Sequence, residues 1–298
     1  MSTSPERKEA NRPDRCRGAR KRLAWLPLFL ATSVVSLRAE DSAEVRLFLC
    51  GDLMSGRGID QVLPHPGDPR LFEPYVQDAR EYVRLAERRS GPIPRPVDFR
   101  YIWGDALEEL SRVKPDLRIV NLETSITTSG EFWPQKGINY RMHPANAPCL
   151  KAAGIDCCAL ANNHVLDWGY DGLAQTLTVL RDQGIRTCGA GQDLAGAQCP
   201  ADIRCGEEGR ILVFSMGLPS SGIPDEWAAG SDRPGVHLLP DLSSRSVEQV
   251  ASCVRQYRKP GDVVIASIHW GGNWGFDISG EQRRFAHALI DSAGVDVV

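Results

Sequence analysis

Several features are missing from this sequence, and each absence removes a class of protein. There is no C-x-x-C pair among its 9 cysteines, so a cysteine-ligated structural zinc is not indicated. Beyond the N-terminal segment no long run of one charge sign occurs, and the formal net charge is only −3. Neither nucleic acid nor an anionic membrane surface is therefore favoured as a partner. The strongly apolar run at residues 23–37 is interrupted by Pro27 and is shorter than the ~20 residues of a spanning helix. No cysteine directly follows it, so a lipoprotein anchor is not indicated. There are no internal repeats. What remains is a chain of 298 residues, 42% hydrophobic and 24% charged, the composition of a folded protein with one large domain or two small ones.

The apolar run follows a hydrophilic leader, residues 1–14, and a basic stretch, RCRGARKR at 15–22. That order fits an export signal; a mis-assigned start codon or a disordered tail is the plainer alternative. Residues 1–40 are expected to be a signal peptide or an N-terminal anchor, placing the protein outside the cytoplasm, in the cell envelope or periplasm. Disulfides are possible in such a compartment, and Cys199 and Cys205, flanking a short loop, are the first pair to test. Cys50, Cys157 and Cys158 lie in apolar runs and read as small buried residues.

From residue 41 to 298 short β-branched runs alternate with amphipathic stretches, the pattern of an α/β domain. Strands are expected at 45–50, 117–122, 157–160, 185–188, 211–215 and 263–268, and helices at 103–113, 145–153, 172–183, 244–258 and 280–293. Gly154 and Gly184 follow two of these helices, where a left-handed residue commonly ends the last turn. Two stretches rich in proline and glycine, 63–100 and 219–240, read as surface excursions.

The polar motifs fall where the strands end: GDLMSGR after Cys50, NLE after Val120, ANNHVLDWG after Ala159, and HWGGNWG after Ile268. In open α/β sheets ligands bind along this carboxyl rim, because loops from several strands converge there. Asp52, Glu123, Asn163, His164 and His269 together supply the hard oxygens and imidazoles that suit a divalent cation. Each has an ordinary explanation as well. Asp52 reads as a helix cap, Glu123 as half of a surface ion pair, His164 as part of an Asx turn, and His269 as a satisfied buried histidine.

GDLMSGRGID, NLETSIT, LANNHVLDWGYDGL, the GAG at 189–191 and SIHWGGNWG resemble, in order and spacing, the CapA family of capsule and poly-gamma-glutamate synthesis proteins, an outlying branch of the calcineurin-like metallophosphoesterases. The likeness covers residues 45–298. It implies a four-layer α/β/β/α sandwich and a site for two divalent ions, manganese, iron or zinc. By resemblance Asp52 is a ligand of the first ion and Glu123 bridges both, while Asn163 and His269 bind the second. His164 becomes the acid or anion-stabilising imidazole, steadied by Asp167. Arg57, Asn162 and Trp270 are candidate substrate contacts. Met54 stands where ordinary metallophosphoesterases have histidine, and Asn273 where many relatives have glutamate.

Residues 294–298 (GVDVV) read as the start of a strand, and the family's final histidine loop is expected beyond it. On that reading the sandwich is incomplete at the C-terminus, with an exposed sheet edge and poor solubility, and metal retention is weak and biased to the second ion. The expected function is capsule or poly-gamma-glutamate synthesis or export, acting on an anionic polymer or phosphorylated substrate beside capsule-synthesis membrane proteins. The alternatives are a general metal-dependent phosphoesterase and a non-catalytic polymer-binding assembly factor.

Overall fold

Runs of valine, isoleucine and leucine become strands here because their alternate side chains have two different faces to fill. The computed structural model describes residues 33–37, as backbone, 44–205 and 209–298; most of the segment read as an export signal, 1–40, lies outside them. Strands β1 (Ser33–Leu37), β2 (Val45–Leu53), β3 (Leu117–Leu122), β4 (Cys157–Ala159) and β5 (Arg186–Cys188) form one sheet in that order. β1 is antiparallel to β2 and the remaining pairs are parallel. A second sheet contains β6 (Ala201–Cys205), β7 (Gly209–Gly217) and β8 (Val263–His269), with β7 in the middle, antiparallel to β6 and parallel to β8. This is a mixed α/β fold built around parallel strands.

The alternation sorts the core. Leu117, Ile119, Cys157 and Ala159 of the first sheet meet Ile211, Val213 and Ile265 of the second in one apolar cluster. Their sequence neighbours Val120, Leu122 and Cys158 point the other way. There they pack against α1 (Gly58–Val62), α2 (Arg80–Ser90), α3 (Ala106–Val113), α4 (Pro148–Ala152) and α5 (Gly169–Asp182). A further short helix, α6 (Leu194–Gln198), is capped by Asp193. On the second sheet Leu212, Phe214, Val264 and Ala266 face α7 (Ser244–Tyr257) and α8 (Gly280–Ser292). α8 begins with a reciprocal capping box between Ser279 and Gln282, which satisfies two otherwise free donors. Gly154 and Gly184 take φ of 65° and 68°, as their place after a helix requires.

Several expectations are corrected. Cys199 and Cys205 are both free; what lies between them is no loop but the extended β6, with Cys205 at its end and Cys199 two residues before its start, a separation well beyond the ~7 Å a disulfide can span. The stretch 63–100 is no simple surface loop. It contains the eleven residues of α2 and sends Leu63, Val83 and Val97 into the main core. The stretch 219–240 buries Ile223, Trp227 and Val236 in the same core, because Gly235–Val236 pairs antiparallel with Ala190–Gly191 and draws the chain inward. The expected helix 103–113 divides into a 3-10 turn, Tyr101–Trp103, and α3, and that at 145–153 into Pro144–Asn146 and α4. Residues 294–298 do run along β8, with Val297 bridged in parallel to Ile265.

His237, in the second of those stretches, is 3% exposed and its Nδ1 has no partner among the described residues. Burial pushes its pKa down from 6.5 to about 4. The unfolded chain therefore takes up the proton first as pH falls. Stability from keeping this imidazole neutral is complete above pH 6.5 and is lost progressively down to pH 4, by about 3 kcal/mol. Urea unfolding of wild type and His237→Gln across that window is expected to show a shallower pH dependence in the variant.

Candidate functional site

The site begins with a fault in a strand. Between Cys50 and Asp52 the register of β2 against β3 shifts, so that Cys50 lies opposite Val120 and Asp52 opposite Asn121. A bulge of this kind re-aims the side chain that follows it. Asp52 thereby receives a hydrogen bond of 2.7 Å from Asn121 Nδ2, and its place inside a strand excludes the helix-cap reading. Asn121 is the hub of the cluster: its Oδ1 accepts from Asn162 Nδ2 at 3.0 Å, and its amide lies 3.3 Å from His269 Nδ1. Asn162 also donates to the Leu122 carbonyl and accepts from the His164 backbone N–H, so that two strand ends are tied together by one buried amide.

The second sheet contributes His269, the last residue of β8. Close approach of the sheets makes this possible. A Cβ on Gly217, opposite His269 in the ladder, would come within 2.7 Å of the Ala161 carbonyl. His269 Nε2 thus reaches Asn163 Oδ1 at 3.0 Å, 3.9 Å from Glu123, while its Nδ1 is 3.7 Å from Asp52. With Asn121 donating to Nδ1, the Nε2 proton goes to Asn163 Oδ1. Both ring nitrogens are partnered, and a cation held by Nε2 and Asn163 Oδ1 would take the place of the proton they share.

Glu123 is 6% exposed, so it is no surface ion pair. Burial, followed by a hydrogen bond and charge repulsion from Asp52, pushes its pKa up to about 8. Two carboxyl groups thus crowd together with an imidazole and an amide oxygen where a cation would relieve their repulsion. In chemistry and charge this donor set fits a divalent ion, although among the described residues no three His, Cys, Asp or Glu side chains form a ready-made metal cluster.

His164 stands beside these groups, with Nε2 3.7 Å from Glu123 and Nδ1 2.6 Å from Asp167 Oδ2. Its ring is stacked on Tyr140 at 3.9 Å, and burial lowers its pKa. Asp167, fully buried, also accepts from the Tyr140 backbone N–H and pairs with Lys136 at 2.6 Å. Lys136 Nζ lies 3.0 Å from His164 Nδ1. Nδ1 cannot both donate to the carboxylate and accept from the ammonium; Asp167 is the nearer, so the Nδ1 proton goes to it, Lys136 gives its own proton to the other oxygen of Asp167, and Nε2 presents its lone pair to the cluster.

The structure thus brings together Asp52, Glu123, Asn162, Asn163, His164, Asp167 and His269. Arg57 lies nearby with its Nε 2.6 Å from buried Glu73. Trp270 packs edge-on against Phe285 in the helix-side core of the second sheet. Asn121, Lys136, Tyr140 and Glu73 escaped the sequence reading. A polar residue inside the apolar run of β3 could have signalled Asn121; Lys136 sits in the aperiodic PQKGIN and left no signal.

Lys136 and Asp167 form a buried pair with side-chain exposures of 10% and 0%. Lys136→Met is expected to cost about 3 kcal/mol by leaving the carboxylate without its cation. The double variant Lys136→Met/Asp167→Asn should recover much of that loss, a coupling that a denaturation double-mutant cycle measures.

Residues 46–298 match the family described as Bacterial capsule synthesis protein PGA_cap. The chain is 51% identical, over 85% of its length and 67% of the relative's, to a probable polyglutamine synthesis accessory protein of Mycobacterium tuberculosis. It is 26% identical to the PGA biosynthesis protein CapA of Bacillus subtilis, over 83% of this chain and 54% of that one. With the capsule biosynthesis protein CapA of Bacillus anthracis the identity is 20%, over 89% and 56%. The chain therefore spans about two-thirds of the mycobacterial relative and little more than half of either Bacillus protein.

Proposed function

Because the chain belongs to the PGA_cap family of bacterial capsule synthesis proteins, we propose that its strand-end site binds divalent cations and acts on an anionic polymer or a phosphorylated substrate during capsule or polyglutamate synthesis at the cell envelope. The observation that carries this reading is the convergence of four strand ends on buried Glu123, joined by Asp52, Asn163 and His269. The three apolar clusters support a metallophosphoesterase-like arrangement, with helices outside each of two facing sheets. Among the described residues no helix is long and apolar enough to cross a membrane. Export in this reading rests on the family's role in capsule synthesis and on the basic and apolar residues that precede β1, since Ser33–Leu37 pairs with β2.

Asp52 and Glu123 would hold one cation, and Glu123, Asn163 and His269 a second, of manganese, iron or zinc. Bound there, such ions polarise a phosphoryl or carboxyl oxygen and make a nearby water more acidic. The chain's own residues set the rest. Asn121 and Asn162 fix the directions of Asp52 and of the loop bearing His164. Asp167 holds the Nδ1 proton of His164 and stabilises the imidazolium once Nε2 has taken a second. Nε2 is then the atom that returns a proton to the departing oxygen.

Isothermal titration of purified protein with manganese, paired with Glu123→Gln and His269→Ala, tests the metal reading. Saturable binding that both variants weaken by at least tenfold is expected; binding unchanged in both would overturn it.

A further inference from the structure

Beside the strand-end cluster the structure contains an apolar cavity of about 390 Å³, within the range of about 300–1,000 Å³ typical of small-molecule sites. Val62 and Val83 form its floor and Tyr82 and Tyr140 its walls. Met54, Ile59 and Tyr101 lie at its edge, 51%, 39% and 47% exposed. An apolar edge left this open to water costs free energy until something covers it. The cavity and the candidate site share a side chain: the Tyr140 ring lines the one and stacks on His164 of the other, and Met54 on the cavity's edge follows Asp52 by two positions.

Arg57 carries the only charge among the lining residues. Its guanidinium lies 4.7 Å from the Tyr82 ring centre and 4.5 Å from that of Tyr140. Glu73 fixes it from behind, itself held by the Tyr82 hydroxyl. The ion pair uses Nε, and the terminal amino groups of the fork remain the natural contacts for an incoming anion. The Arg57 backbone has φ of 51°, unusual for a residue other than glycine, so its direction is fixed by main chain and side chain together.

We propose that this cavity binds an alkyl chain, and that the site's substrate is an anionic amphiphile, a phosphate ester bearing such a chain, with its head between Arg57 and the strand-end cluster. A polymer segment bristling with carboxylates does not match a cavity that has one cation and an otherwise apolar or aromatic lining. This inference rests on the reading of the strand-end cluster as an anion-handling centre, and its test separates the two.

Binding of inorganic phosphate and of butyl, hexyl and octyl phosphate is measured by calorimetry with manganese present. Wild type is compared with Ala86→Phe and Ile59→Phe, two variants on the exposed edge of the cavity chosen to block it without altering the core, and each is checked for an unchanged melting temperature. Affinity is expected to rise about three- to fourfold per methylene until the cavity is filled. The variants are expected to flatten this dependence while binding inorganic phosphate as wild type does. Equal affinity for all chain lengths, or a dependence unaltered in both variants, overturns the cavity proposal and leaves the anion-handling reading standing. Tighter binding of phenyl phosphate than of hexyl phosphate overturns the alkyl assignment. Octyl alcohol binding as tightly as octyl phosphate, with inorganic phosphate not binding, overturns the anionic head and the anion-handling reading with it.

Discussion

His164→Gln is expected to slow turnover of an aryl phosphate by about 10²–10⁴-fold at saturating manganese, the range associated with loss of one general acid or base. The argument is geometric. Nδ1 is committed to Asp167 at 2.6 Å, Tyr140 stacks on the ring at 3.9 Å, and Nε2 faces Glu123 at 3.7 Å. One nitrogen is therefore anchored and the other presented to the cluster. Glutamine can replace some of the hydrogen bonding but cannot take and release a proton near neutral pH. Because its volume is similar, the unfolding midpoint should move much less than the rate, which separates loss of chemistry from loss of fold. Absence of turnover in wild type as well, with polyglutamate binding retained without metal, would sink the catalytic reading and favour a polymer-binding assembly factor.

Trp227→Ala is expected to lower the unfolding free energy by about 3–5 kcal/mol, as truncation of a fully buried aromatic does. Trp227 is 0% exposed. It meets Trp133 edge-on at 5.5 Å, and its ring lies 5.6 Å from the Lys136 ammonium. The indole Nε1 has no hydrogen-bond partner among the described residues. Trp227→Phe therefore removes volume without removing a bond and should cost less than half as much. Urea denaturation of the two variants checks the ordering. A cost below about 1 kcal/mol for the alanine variant would show that residues 219–240 are not part of the cooperative core.

The strands were legible because buried parallel strands are rich in branched apolar residues, and Leu117–Leu122, apolar except at Arg118 and Asn121, has the expected limits. The site was legible in part for the same reason: polar residues directly after such runs have to lie along one rim. α2 was hidden because REYVRLAERRS buries only Val83, and its short apolar face is outnumbered by charged residues within a stretch rich in proline and glycine. Trp227 was hidden because what buries it is a two-residue ladder to Ala190–Gly191, a contact with no local signature. Lys136 and Tyr140 reach His164 and Asp167 from a loop whose path is set by tertiary contacts, including the Asn139 amide donating to the Asp167 carbonyl. Spacing along the chain carries no trace of such a path.

The pairing of β2 with β3 has a consequence for the chain as it is made. Leu47 sits opposite Leu117, so β2 leaves the ribosome well before its partner exists. At about 5–20 residues per second the interval is roughly 4–14 seconds, far longer than the microseconds a helix such as α2 needs to form. β1 shortens the exposure on one side, because Ser33 pairs with Leu49 across a short separation and is available at once. The nascent protein accordingly carries a two-stranded ribbon whose β2 edge stays open until the 117–122 segment emerges to cover it, and that edge is where a chaperone or a second nascent chain would first take hold.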